Sequence, residues 1–120
     1  MASRLYAVQA SNGEISDRAY DAHHSHRIAA DRRANRQPAE LVYTTAGADA
    51  ANPEWVSAEA YESGHSAGER HANYAQAYEN ADETTKFNIE VPGRFSGQDE
   101  VDYRTGFEDG VSDFWDDSRE

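Results

Sequence analysis

The histidines of this sequence are the first side chains to consider for metal chemistry, because three of the five lie between residues 23 and 26. His23 and His26 are three residues apart, so on a helix they share a face and could bind one metal ion, with Asp17 or Asp21 as a third ligand. Helical metal sites typically use a four-residue spacing around a glutamate, which this segment lacks. A solvated polar face on an arginine-rich helix is the simpler interpretation, and we predict no metal ion and no cofactor.

Catalysis by a nucleophile requires a serine, threonine or cysteine beside a base, together with an oxyanion donor. The chain has no cysteine, and sequence position groups none of its serines with one particular histidine and aspartate. Paired carboxylates for glycoside chemistry carry no information in a chain with 23 acidic residues. We therefore predict a protein without enzymatic activity.

The most specific feature is a near-repeat, in which residues 60–68 match residues 102–110 with the pattern Tyr-x-[Ser/Thr]-Gly-aromatic-x-x-Gly. On a helix, each copy places its tyrosine, its second aromatic residue and its second glycine on one face. Glycine costs a helix about 1 kcal/mol relative to alanine, so these glycines indicate a close approach to another helix. We predict that the two helices pack on each other, or on a second copy of the chain, through this face.

The alternative interpretation is that the glycines form the floor of a ligand groove between the two helices. The residues of this helix seam, in either interpretation, are Tyr61, Gly64, His65, Gly68, Tyr103, Gly106, Phe107 and Gly110.

The charge of the chain is unevenly distributed. The net charge is −12, yet residues 1–40 carry a net +1, whereas residues 41–98 carry −6 and residues 99–120 carry −7. Such a field repels nucleic acid and anionic lipid and attracts basic surfaces. We therefore expect a basic protein as partner, with no membrane binding and no direct nucleic-acid binding.

The last predicted helix carries an acidic stripe. Its carboxylates fall within about 60° of one another at the helical period, and neighbours three or four residues apart have Cβ atoms about 5–6 Å apart. Such a row could imitate a nucleic-acid backbone, or it could simply keep the protein soluble. Phe114 and Trp115 lie beside it and could anchor a protein interface. The candidate partner-binding residues are Asp102, Asp109, Asp113, Phe114, Trp115, Asp116, Asp117 and Glu120.

The elements that must position these residues follow from periodicity and from turn and cap signals. They form the order β(β)αβαβα, which predicts an α/β (α+β) fold with a small mixed sheet, about three helices and a single domain over residues 1–120. The predicted strands are Leu5–Gln9, a short return at Glu14–Ile15, Leu41–Thr45 and Thr85–Val91. The predicted helices run from Ser16 or Asp17 to Gln37, from Pro53 to Asp82, and from Ser96 or Gly97 to Asp117, with a loop at Ala46–Asn52.

The chain contains no apolar run long enough for a membrane helix or a signal peptide, so a cytoplasmic location is expected. Ten of its eleven basic residues are arginines, which is typical of a GC-rich genome. With its acidity, small size, absence of cysteine and paired Tyr-x-x-Gly-x-x-x-Gly helices, the chain resembles the small accessory proteins of phages and mobile elements from GC-rich bacteria.

This resemblance implies a non-enzymatic, stoichiometric binder in the host cytoplasm. Such a protein would act as an inhibitor or adaptor of a basic host factor, of the anti-defence or host-takeover type, with nucleic-acid mimicry as one form. Two alternatives stay open. One is an oligomeric protein that sequesters a small ligand at the glycine-lined seam, and the other is a minor virion or assembly component, for which a homo-oligomer would be the sign.

Overall fold

The structure, a computed structural model, describes residues 4–45, 53–82 and 84–117. The predicted loop at residues 46–52 and Glu120 of the acidic stripe lie outside the described residues, and only the backbone of Asp117 is described. The chain forms two compact units, Met1–Glu59 and Ala60–Glu120, which we call the sheet unit and the helix unit. The single domain stays a prediction.

The sheet unit contains a four-stranded antiparallel sheet. Its strands are β1 (Leu5–Ala10), β2 (Ile15–Ala19), β3 (Ala39–Thr44) and β4 (Val56–Ser57), in the order β2-β1-β3-β4. The β1–β2 hairpin turns at Gly13, whose φ of +86° lies in the left-handed region that glycine adopts at no steric cost. The central strands β1 and β3 supply the core, in which Ala7, Val8 and Leu41 are buried.

Helix α1 (Ala22–Ala34) packs on β1 and β3 and buries Ala22, Ser25 and Ala29. It was predicted to begin near Ser16 or Asp17, but these residues continue strand β2, and the helix begins after Asp21. The Asp21 carboxylate accepts a hydrogen bond of 3.1 Å from the backbone N–H of His23, as expected of an N-cap. Asp17 instead pairs with Arg32 at 2.8 Å, so the arginine-rich helix is tied to the hairpin of its own unit.

The second helix is shorter than predicted. Residues 56–57 form strand β4, which pairs with Val42 and Tyr43, so helix α2 spans Glu59–Glu79 and not Pro53–Asp82. Helix α3 spans Gln98–Asp117, close to the prediction. With three helices and a small sheet, the predicted α+β class is confirmed, and every neighbouring pair of strands is antiparallel.

The segment at residues 85–91 is not a strand, which corrects the prediction for Thr85–Val91. Its alternation is real, because Phe87, Ile89 and Val91 are half-buried while the intervening side chains are exposed. They pack on a cluster in the helix unit that contains Phe95, Tyr103, Phe107 and two alanines. The segment therefore uses a two-residue period to bury one side against helices, with no backbone partner of its own.

Candidate functional site

Helices α2 and α3 pack through all four glycines of the near-repeat. A Cβ atom on Gly64 would overlap the backbone carbonyl of Tyr103, and one on Gly68 would overlap that of Phe107. In the other direction, Gly106 and Gly110 face the backbone carbonyls of Tyr61 and His65, respectively. The two helix backbones therefore touch where the glycines lie, and the space beside each glycine is filled. This geometry supports the packing interpretation of the seam and leaves no groove on the glycines for a ligand.

The register of these contacts shows that the two helices run parallel, because positions with higher numbers in α2 meet positions with higher numbers in α3. Each contact is also matched by its counterpart 42 residues away, as in the pairs Gly64–Tyr103 and Gly106–Tyr61. The helix pair thus has an approximate internal two-fold axis. A parallel pair needs a connection that travels back along its length, which explains why residues 80–97 include the extended segment 85–91.

Hydrogen bonds between side chains lie beside the seam. The Tyr61 hydroxyl donates to Asp109 Oδ2 at 2.6 Å. The His65 side chain, only 6% exposed, has Nε2 at 2.7 Å from Asp113 Oδ2 and Nδ1 at 2.8 Å from Glu69 Oε1. Both ring nitrogens are therefore occupied by carboxylates, and His65 connects the two helices.

These contacts change the interpretation of the acidic stripe. Asp102 is buried and accepts a hydrogen bond of 3.0 Å from Gln98 Nε2, while Asp109 and Asp113 are half-buried and bonded to α2. Of the predicted stripe residues with described side chains, only Asp116 is exposed. The prediction of one continuous solvent-facing stripe is therefore wrong, because the stripe borders the glycine face on which α3 packs.

A different row of α3 faces outward, and sequence reasoning missed it. Glu100, Arg104, Glu108, Ser112 and Asp116 recur every four residues, and all five are exposed. Arg104 lies 3.7 Å from Glu100, so the acidic members with no described ion pair on this ridge are Glu108 and Asp116. The signal was present in the sequence, because Glu108 lies on the opposite side of the helix from Gly106 and Gly110 at 100° per residue.

The aromatic residues predicted to anchor a partner are not fully exposed. Phe114 and Trp115 are half-buried, and their rings meet edge to face at 5.1 Å. The Trp115 indole N–H is buried and has no hydrogen-bond acceptor among the described residues. The strongly exposed aromatics of this unit are instead Tyr74 and Tyr78 on α2, which stack at 4.9 Å.

The metal candidates His23 and His26 both lie on α1, half-buried and buried, respectively. Both acids suggested as a third ligand have other roles within the sheet unit. Asp21 caps the helix, and Asp17 binds Arg32 and the Ser16 hydroxyl. Neither carboxylate therefore supports a metal site with the two histidines.

Residues 64–68 read Gly-His-Ser-Ala-Gly and so match the Gly-x-Ser-x-Gly pattern of hydrolase nucleophile elbows, a match that the prediction of no enzymatic activity did not take into account. An elbow requires the serine at a sharp turn from a strand into a helix. Ser66 lies instead in the interior of α2, on its exposed side, while His65 faces α3. The pattern is therefore part of the helix seam, without the geometry of an elbow.

Comparisons of the chain with models of protein families, with curated proteins and with solved structures give no match. No helix among the described residues is both long enough and apolar enough to cross a bilayer.

Proposed function

We propose that this protein is a non-enzymatic binding protein whose helix unit presents an acidic surface to a basic partner, as an inhibitor or adaptor of a host factor. The observation that carries this proposal is the charge of the two units. Residues 60–120 carry 15 acidic and 5 basic side chains, a net −10, whereas residues 1–59 carry 8 and 6, a net −2. The helix unit therefore generates most of the negative field that would attract a basic surface.

The packing of α2 on α3 supports a surface of fixed shape. Carboxylates at neighbouring helix positions repel one another and destabilise an isolated helix. Here two of them are held by Tyr61 and His65, and the glycine seam fixes the two backbones against each other. The outward acids of α3 are consequently presented by a rigid element, which reduces the ordering cost of binding.

Mimicry of a nucleic-acid backbone is not the form of binding that this geometry favours. Glu100, Glu108 and Asp116 succeed one another at eight-residue intervals, which is about 12 Å along a helix. The mimicry hypothesis used carboxylates about 5–6 Å apart at Cβ, and Asp109 and Asp113 of that stripe are bonded to α2. General electrostatic docking on a basic protein surface is the interpretation that we retain.

The test is affinity capture from a lysate of the organism that encodes the chain, with two double variants of equal charge change. Glu108→Lys/Asp116→Lys alters the outward row of α3, and Glu14→Lys/Glu40→Lys alters exposed acids of the sheet unit. We expect one basic protein to be captured by the wild type and by the sheet-unit variant, to be released by salt, and to be lost with the helix-unit variant.

Capture of the same protein by both variants would contradict the proposal, since the helix unit would then not be the binding surface. Equal loss with both variants would also contradict it, because net charge alone would account for the interaction. Nuclease treatment of the lysate serves as the control for bridging by nucleic acid.

A further inference from the structure

The helix unit contains an open cavity of about 370 Å³ that the proposed function does not use. It lies between one face of α2 and the turn that precedes α3, away from the outward row of α3. Its polar lining consists of Glu62, Ser63, Ser66, Arg70, Arg94 and Tyr103. Small-molecule sites in proteins typically begin at about 300 Å³, so the cavity has the volume for a small metabolite.

The lining concentrates positive charge in the most acidic part of the chain. Arg70 and Arg94 are two of only five basic residues in the helix unit, and both line this cavity. Ser63, Ser66 and Arg70 recur at intervals of three and four residues, which places them on one face of α2. Two guanidinium groups and two hydroxyl groups thus border the same space.

The turn before α3 holds Arg94 in place. The backbone N–H of Phe95 donates to the carbonyl of Pro92 at 3.0 Å, which closes the turn. The Arg94 guanidinium lies 4.4 Å from the centre of the Phe95 ring, and that ring lies 5.7 Å from the ring of Tyr103. Stacking on a buried aromatic ring orients an arginine and lowers the entropy lost when it binds a ligand.

From this lining we infer that the cavity binds a small phosphate monoester whose organic part carries hydroxyl groups. Arginine binds phosphate through pairs of parallel hydrogen bonds, and serine hydroxyls add donors. Four such donor groups exceed what the two oxygens of a carboxylate accept, whereas a phosphate monoester offers three terminal oxygens. The carboxylate of Glu62 can only accept, so it matches a hydroxyl group of the organic part.

The negative charge of the unit does not prevent this binding. At physiological ionic strength the screening length is about 8 Å, so the groups that line the cavity dominate the potential that a ligand experiences. Those groups are two arginines against one glutamate. The inference is independent of the proposed protein partner, because the cavity and the outward row of α3 share no residue.

The experiment is titration of the ¹⁵N-labelled full chain with glucose 6-phosphate, inorganic phosphate and glucose, followed by NMR. We expect saturable shifts around residues 62–70 and 92–95 with glucose 6-phosphate, weaker binding of inorganic phosphate, and no binding of glucose. In Arg70→Gln/Arg94→Gln the affinity should fall by about tenfold or more, since charged hydrogen bonds are lost. Arg104→Gln, outside the cavity, should bind as the wild type does.

Glu62→Gln tests the role of the carboxylate. It should bind inorganic phosphate more tightly and prefer glucose 6-phosphate less, because repulsion of phosphate and acceptance of a hydroxyl are both weakened. Absence of saturable shifts at millimolar glucose 6-phosphate would overturn the inference. So would equal weakening by Arg104→Gln, which would show a response to net charge only. Equal affinity for both phosphates would overturn the part that concerns the hydroxylated ligand.

Discussion

Replacement of a seam glycine by alanine is the most direct perturbation of the helix unit. In Gly64→Ala the new Cβ would overlap the Tyr103 carbonyl oxygen and would lie 2.9 Å from its carbonyl carbon. The obstacle is backbone and cannot rotate away, so the helices must separate or bend. The substitution changes no charge and leaves the cavity-lining and outward residues in place.

Two opposing effects set the size of the response. Alanine favours a helix interior over glycine by about 1 kcal/mol, which alone would stabilise the variant. Overpacking of a close contact costs about 1–3 kcal/mol or more, and a gap of 0.5–1 Å opened along the rest of the seam forfeits roughly a quarter to a half of each dispersion contact. We therefore expect Gly64→Ala to lower the free energy of unfolding by about 1–3 kcal/mol net.

The assay is urea and thermal unfolding followed by circular dichroism, with Gly93→Ala as control. Gly93 has nothing within 4 Å of its added Cβ, so this variant should match or slightly exceed the wild type in stability. For a domain of this size, each 1 kcal/mol corresponds to about 4–8 °C in Tm. A Gly64→Ala variant as stable as Gly93→Ala would refute the close packing of α2 on α3.

Two further predictions concern titratable groups of the helix unit. Asp113→Ala removes the acceptor of the buried His65 Nε2 and should lower the free energy of unfolding by about 1–3 kcal/mol, whereas Asp116→Ala should change it by about 0.5 kcal/mol or less, as urea unfolding would show. Hydrogen bonds from the Thr84 hydroxyl and then its backbone N–H lower the pKa of Asp82 from 3.8, so Thr84→Val should raise that pKa in an NMR titration. Because the folded pKa is the lower one, this contribution to stability is present above the unfolded pKa and is lost as pH falls through the folded pKa, and an unchanged Asp82 pKa in Thr84→Val would contradict this assignment.

The features that the sequence could predict are those set by local pattern. The repeated Tyr-x-[Ser/Thr]-Gly-aromatic-x-x-Gly segments predict both the helices and their close packing, because a glycine inside a helix is costly unless another backbone approaches it. The β1–β2 hairpin likewise follows from alternation around the turn at Gly13.

The features that failed depend on contacts between distant segments. Residues 85–91 have the period of a strand, but they bury their apolar side on helices and have no backbone partner. Strand β4 has only two residues and exists because Val42 and Tyr43 are available to pair with it. The acidic stripe was placed correctly on α3, but its position relative to the glycine face decided which carboxylates reach solvent.

The central claim is that the outward acids of the helix unit mediate binding to a basic partner. Its most direct test is the association rate constant of the captured partner, measured against ionic strength for the wild type and the two double charge variants. Electrostatic steering makes this constant fall steeply with salt. We predict a lower constant and a flatter salt dependence for Glu108→Lys/Asp116→Lys, with a much smaller change for Glu14→Lys/Glu40→Lys. Equal changes in both variants, or none in the first, would contradict the claim.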